Sequence, residues 1–171
     1  MKSSRCSLGL ACLFLTLAVG LGIAQDKDKD KKKDEPRPTL SEEEQKVLDL
    51  TNAERAREKL PPLTINPKLL KAARAYSEVM AKLDKVDHEV DGTKPRQRAE
   101  KAGYEGEYVG ENVGYTFGGL GAKAMVKWWM ESKLHRENIL RKEFTEIGLG
   151  AFKNKDGKIY YTQLFGAPFK D

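Results

Sequence analysis

The fold of this chain is decided by the stretch Val109–Leu140, which contains Val-Gly-Glu-Asn-Val-Gly-Tyr at 109–115, Trp-Trp-Met-Glu at 128–131 and His-Arg-Glu-Asn-Ile-Leu at 135–140. The glycines of the first segment are typical of a strand that another backbone or a ligand approaches closely. The second segment continues an amphipathic run that predicts a helix. A strand and a helix therefore lie next to each other in sequence.

Four residues with useful chemistry lie in or just before this stretch. Glu111, Glu131 and His135 fall inside it, and the only other histidine of the chain, His88, lies upstream. A neutral imidazole can bind a metal or carry a proton, and a neighbouring carboxylate can orient the ring, accept a proton or share the cation. The residue types predict a functional site and leave its use open.

The first 24 residues have the pattern of a secretory signal peptide. Lys2 and Arg5 form a charged start, residues 8–23 are almost wholly apolar, and small residues precede Gln25. We therefore expect cleavage before Gln25 and a secreted or periplasmic protein with no transmembrane span afterwards. A retained membrane anchor and a lipid-modified Cys12 are the alternatives.

Charge and cysteine content exclude several classes of function. Both cysteines, Cys6 and Cys12, lie in the leader, so the mature chain has no disulfide and no cysteine nucleophile. Removal of Lys2 and Arg5 lowers the net charge from +5 to +3, because 29 basic and 26 acidic residues remain. The folded part has no long basic block, so a nucleic-acid partner is not expected.

The mature chain is predicted to consist of a linker, residues 25–39, and one domain, residues 40–171. The linker is almost entirely charged residues and proline and has no apolar side chain to bury. The domain begins where Ser41 and Glu44 form a capping box, which starts a helix that runs to about Lys59. Asn66 and Pro67 begin the second helix.

The rest of the domain mixes helices and strands. The pattern predicts a loop that presents His88, a helix at 95–102, a strand at 108–115, a helix carrying Met125 to Met130, and a hairpin of strands 144–152 and 158–165. This order is typical of an α+β domain.

Several short motifs in this order resemble the CAP superfamily (cysteine-rich secretory proteins, antigen-five and plant pathogenesis-related proteins) in its short bacterial SCP-domain form. The resemblance runs from Leu48 to Gly166. The matching segments are Thr-Asn-Ala-Glu-Arg at 51–55, Leu-Pro-Pro-Leu at 60–63, Gly-Glu-Asn at 110–112, Trp-Met-Glu-Ser at 129–132, His-Arg-Glu-Asn-Ile-Leu at 135–140, Phe-Thr-Glu-Ile-Gly-Leu-Gly at 144–150 and Tyr-Thr-Gln-Leu-Phe-Gly at 161–166.

The resemblance implies a three-layer α-β-α sandwich with a small antiparallel sheet between helices. It also implies a cleft with two histidines and two glutamates, which map to His88, Glu111, Glu131 and His135. In some members this cleft binds a divalent metal, so we expect Zn²⁺ or a similar ion here. We place Asn112, Tyr115, Trp129 and Ser132 beside it as cleft or ligand-contact residues.

Two residues depart from the family pattern in a way that affects the site. Lys133 and Leu134 stand where Pro-Gly is common, so the helix has no such break after Glu131, and a continuous helix would place Glu131 and His135 on one face, four residues apart.

Three functions are compatible with these residues. The favoured one is a monomeric, non-enzymatic binding module that takes a metal and a small-molecule, lipid or cell-wall ligand. A metal-dependent hydrolase or protease would use bound water with a glutamate as base, although the chain has neither a His-Glu-x-x-His helix nor a Gly-x-Ser-x-Gly elbow. A scaffold would use His88, Glu111 and His135 for structure alone.

The exported protein is expected to begin at or near Gln25, because the leader ends in small residues suited to cleavage. Intact-mass measurement of exported material tests this. A mass that still includes residues 1–24 would contradict it.

Overall fold

The computed structural model describes residues 38–117 and 119–169, so the predicted leader and most of the predicted linker lie outside the described residues. The helices are α1 (Glu42–Arg57), α2 (Pro67–Leu83), α3 (Pro95–Lys101), α4 (Gly121–Glu131) and α5 (Lys133–Ile139), and the strands are β1 (Thr64–Ile65), β2 (Tyr108–Thr116), β3 (Glu146–Lys153) and β4 (Ile159–Ala167).

Local sequence explains where the two long helices begin. The Ser41 hydroxyl accepts from the backbone N–H of Glu44 at 3.2 Å, and the Glu44 carboxylate accepts from the backbone N–H of Ser41 at 2.8 Å. The Asn66 side chain accepts from the backbone N–H groups of Lys68 and Leu69 at the start of α2. Both predicted helix starts are therefore confirmed.

The four strands form one sheet in the order β1-β3-β4-β2. The β3–β4 hairpin and the β2–β4 pair are antiparallel, as predicted, whereas the two-residue strand β1 runs parallel to β3. A strand of two residues is too short to show a hydrophobic period, and β1 was not predicted for that reason. The sheet is therefore mixed and has a short parallel edge.

Helices cover both faces of the sheet and give the expected α-β-α sandwich. Helices α2 and α3 pack on one face, and α1, α4 and α5 lie on the other. Glycines let α2 come close: a Cβ at Gly148 would lie 2.0 Å from the carbonyl carbon of Leu69, and one at Gly150 would lie 2.3 Å from the carbonyl oxygen of Ala73. Only glycine fits these two positions without moving the helix.

The edge strand β2 is covered by side chains from the helices. Nδ2 of Asn138 donates to the Glu111 carbonyl at 3.0 Å, and Nε1 of Trp129 donates to the Val113 carbonyl at 3.1 Å. An exposed strand edge is a template for pairing with another chain, and these two bonds block it. They also hold α4 and α5 against β2.

The helix does not continue from Glu131 to His135. Helix α4 ends at Glu131, Ser132 has extended backbone angles (φ −90°, ψ 124°), and α5 begins at Lys133. Serine is well suited to a position between helices because its side chain favours non-helical backbone. Glu131 and His135 therefore do not share a helical face.

Within the described part of the chain, the helices are all too short or too polar to cross a membrane. In α2 the apolar residues Leu69, Leu70, Ala73, Tyr76 and Met80 are buried, whereas Leu83, at the last position, is half exposed.

A buried arginine of α1 is hydrogen-bonded to the segment that follows α1 and to the segment between α5 and β3. Arg55 is 1% exposed, and its guanidinium donates to the carbonyls of Pro61, Ile139, Arg141 and Phe144 at 2.8–3.0 Å. The Pro61 carbonyl lies after α1, the Ile139 carbonyl lies at the end of α5, and the carbonyls of Arg141 and Phe144 lie between α5 and β3. The bonds compensate the loss of water around the charge.

Replacing Arg55 with lysine should lower the free energy of unfolding by about 3 kcal/mol or more, because an ammonium group cannot reach four carbonyls arranged around a planar fork. Urea denaturation measures the change. Arg57→Lys is the matched control, since Arg57 lies on the same helix and makes only an exposed ion pair with Glu54. Equal stability of the two variants would contradict the role assigned to Arg55.

Candidate functional site

The candidate site lies along edge strand β2, where groups from both faces of the sheet meet. Cross-strand pairing places Glu111 opposite Leu164 and Asn112 opposite Gln163. Because successive strand residues point to opposite faces, Glu111 faces the α2 side and Asn112 faces the α5 side. His88 approaches from the loop between α2 and α3, and His135 is supplied by α5.

The carboxylate of Glu111 is held between the guanidinium of Arg98 and the imidazole of His88. Its Oε1 lies 2.8 Å from Nδ1 of His88, and its Oε2 accepts from Nη2 of Arg98 at 2.6 Å. The Glu111 side chain is 1% exposed and that of Arg98 is 8% exposed, whereas the His88 side chain is 50% exposed. The site therefore has a buried ion pair behind a histidine that water can reach.

Arg98 is the main residue that sequence reasoning missed. It lies on the short helix α3, and its guanidinium carbon is 3.4 Å from the centre of the Tyr76 ring. Nη1 donates to the carbonyls of Thr93 and His88, which holds the His88 loop against Glu111. Seven residues are too few to show which face of a helix is buried, so no sequence signal separated Arg98 from an exposed arginine.

His135 is placed by bonds between α5 and β2. Nδ2 of Asn112 donates to the His135 carbonyl at 3.0 Å, and Asn138 donates to both the Glu111 carbonyl and Oδ1 of Asn112. Asn138 therefore braces α5 against β2.

The two imidazoles have pKa values shifted in opposite directions. The hydrogen bond to Glu111 raises the pKa of His88 against the opposing effect of burial. Burial, followed by the positive charge of His88, lowers the pKa of His135. At neutral pH His135 is neutral, while His88 is the group more readily protonated.

Glu131 lies at the end of α4 with an exposed side chain, and its carboxylate is 3.7 Å from Nζ of Lys127 on the same helix. Within residues 38–117 and 119–169, no three His, Cys, Asp or Glu side chains form a group suited to hold a metal. The four-residue ligand set of His88, Glu111, Glu131 and His135 stays a prediction.

The donor atoms of His88 nevertheless suit a metal ligand. A carboxylate can only accept, so with neutral His88 the Nδ1 atom carries the proton and Nε2 keeps its lone pair. Metal-binding histidines commonly donate their other N–H to a carboxylate in this way. Both oxygens of Glu111 are already engaged, so Glu111 fits the role of orienting His88 better than that of direct ligand.

The four predicted cleft residues occupy different environments. Asn112 and Trp129 are buried. Asn112 donates to the His135 carbonyl and to the Gln163 side chain, and Trp129 donates to the Val113 carbonyl. Tyr115 is partly exposed and stacks on Tyr160, and Ser132 is partly exposed between α4 and α5. A ligand-contact role for these residues stays a prediction, and exposure favours it for Tyr115 and Ser132.

Comparisons with known proteins identify a matching family and similar folds. The model of the cysteine-rich secretory protein family, CAP, matches residues 48–165. The uncharacterized protein YkwD of Bacillus subtilis (strain 168) is 37% identical over 129 residues, which cover 75% of this chain and 49% of YkwD. This chain therefore spans about half the length of that relative.

Two solved structures have a similar fold. An outer surface protein from Borrelia burgdorferi has a TM-score of 0.67 and 25% identity, with 77% of this chain and 97% of that chain covered. An extracellular protein containing a SCP domain, from Bacillus anthracis str. Ames, has a TM-score of 0.66 and 24% identity, with 76% and 45% covered.

The two histidine pKa values should lie on opposite sides of about 6.5, the unperturbed value, with His88 above it and His135 below it. NMR titration of the two imidazole signals measures both. In Glu111→Gln the pKa of His88 should fall because the anion that favours its charged form is gone.

Glu131→Gln is the control for this titration. Its carboxylate is exposed and pairs with Lys127, so the pKa of His88 should not change. The assignment of Glu111 as the partner of His88 is wrong if the two variants shift that pKa equally.

Proposed function

Because the chain belongs to the cysteine-rich secretory protein family, CAP, we propose that it is an exported, non-enzymatic binding module. In this proposal its His/Glu cleft holds a divalent metal such as Zn²⁺ together with a small, lipid or cell-wall-derived ligand.

The observation that carries the proposal is the contact between Nδ1 of His88 and the buried carboxylate of Glu111. The contact fixes the ring and leaves Nε2 for a metal ion. His135 supplies the second imidazole, and its lowered pKa keeps that ring neutral, the form that binds metals. Two protein ligands leave other coordination positions for water or a ligand.

Arg98 limits what Glu111 can do. Its guanidinium lies 2.6 Å from one oxygen of the carboxylate and balances its charge. A glutamate held in this way is poorly placed to move toward a reacting water, which supports a binding role over a hydrolytic one.

The proposed location outside the cytoplasm is supported by the predicted signal peptide. It also agrees with the descriptions of the two structural neighbours as an extracellular protein and an outer surface protein.

Zinc should bind the wild type saturably at neutral pH, and His88→Ala and His135→Ala should each abolish this binding. Glu111→Gln should lower the affinity roughly 10- to 100-fold, the usual cost of losing a residue that orients a ligand. Isothermal titration calorimetry measures these affinities. Glu131→Gln tests the remaining predicted ligand and should leave the affinity unchanged if two imidazoles suffice.

Zinc affinity should also fall as the pH is lowered, beginning above about 6.5. The raised pKa of His88 means that protons compete for this ring before they compete for an ordinary histidine. Thermal melts at each pH establish that the variants remain folded. Saturable zinc binding that survives in the double histidine variant would reject the site.

A further inference from the structure

A polar side chain, Gln163 of β4, lies inside the apolar core on the side of the sheet that α1 covers. Tyr161 and Phe165, two residues away in either direction, share its strand face and are buried in the main hydrophobic cluster. Gln163 itself is 0% exposed. An amide in such surroundings is costly unless it is hydrogen-bonded, so its partners indicate its role.

The Gln163 amide can take only one orientation. On α1, the Thr51 hydroxyl donates its single proton to the Val47 carbonyl at 2.7 Å, so this hydroxyl can only accept from Gln163. Nε2 of Gln163 donates to the Thr51 oxygen at 2.7 Å. Oε1 of Gln163 is therefore the atom that faces Asn112, and Nδ2 of Asn112 donates to it at 3.1 Å.

Asn112 connects Gln163 to α5. Its Nδ2 also donates to the His135 carbonyl at 3.0 Å, and its Oδ1 accepts from Nδ2 of Asn138 at 3.0 Å. If the Asn112 amide were reversed, its oxygen would face two acceptor oxygens and its nitrogen would face a donor. The bonds that begin at Thr51 therefore fix the backbone of α5 at His135.

We propose that Thr51 and Gln163 are positioning residues of the metal site, an inference that rests on the proposed function. Through Asn112 they set where α5 presents the imidazole of His135. Neither side chain is hydrogen-bonded to a predicted metal ligand among the described residues, so both act through Asn112. His88 is independent of these bonds, because Glu111 and Arg98 hold it from the opposite side of the sheet.

Thr51→Val removes the hydroxyl with little change in size and lets the Gln163 amide turn. Zinc affinity, measured by calorimetry on the mature protein, should fall about tenfold, the low end of the usual cost of losing a residue that orients a ligand. Thr51→Ser keeps the hydroxyl and should bind zinc as the wild type does.

Ile147→Val is the control for a general loss of stability. It removes one buried carbon from β3 without touching the bonds between Thr51, Gln163 and Asn112. Its zinc affinity should equal that of the wild type.

A second variant tests whether Thr51 acts through Gln163. Gln163→Met removes the amide and should lower zinc affinity at least as much as Thr51→Val does. The double variant Thr51→Val/Gln163→Met should lose no more than Gln163→Met alone, because the hydroxyl then has no amide to orient. Thermal melts establish that each variant is folded.

The zinc-free protein supplies a measurement that does not depend on metal binding. In Thr51→Val and in Gln163→Met the NMR signal of the His135 ring should shift from its wild-type position. The signal of the His88 ring should stay where it is, since Glu111 and Arg98 still hold that ring.

Two results would overturn the proposal. One is a His135 ring signal that is unchanged in both Thr51→Val and Gln163→Met. The other is a zinc affinity that Thr51→Ser or Ile147→Val lowers as much as Thr51→Val does. If the wild type binds no zinc, the proposed function fails, while the His135 signal still decides whether Thr51 and Gln163 position that ring.

Discussion

The arrangement of this domain depends on the buried guanidinium of Arg55. No carboxylate neutralises it within hydrogen-bonding distance among the described residues, and four backbone carbonyls solvate it instead. Two of these carbonyls, those of Ile139 and Arg141, belong to the end of α5 and the turn that follows. A charge taken out of water is costly unless its donors are hydrogen-bonded, so these bonds favour an α5 that ends at Ile139. The position of His135 on that helix follows from this constraint.

A second buried charge organises the opposite face of the sheet. Glu111 points to the α2 side, where Arg98 and His88 take one carboxylate oxygen each. A buried ion pair gives little net stability because desolvation offsets the attraction, but it strongly disfavours other arrangements. The pair therefore acts mainly to fix the His88 loop, which has few apolar contacts of its own.

Arg98 lies between the His/Glu cleft and a cavity lined by α2 and α3. Its terminal nitrogens face Glu111 and the His88 loop, while its flat face stacks on Tyr76 in the wall of the cavity between α2 and α3. The two regions differ in chemistry: an imidazole and a carboxylate meet at the strand edge, and apolar side chains of α2 line the cavity between the helices.

Sequence alone determined the α+β class, the starts of α1 and α2, the hairpin and the family, because caps, turns and hydrophobic periods are local signals. It also identified His88 and Glu111 as residues of one site. Only the tertiary structure decided that Arg98 is the partner of Glu111, that the helix is interrupted at Ser132, and that the Glu131 carboxylate lies near Lys127. These outcomes depend on which face of a short helix is buried and on contacts between residues distant in sequence, and neither leaves a periodic pattern in the chain.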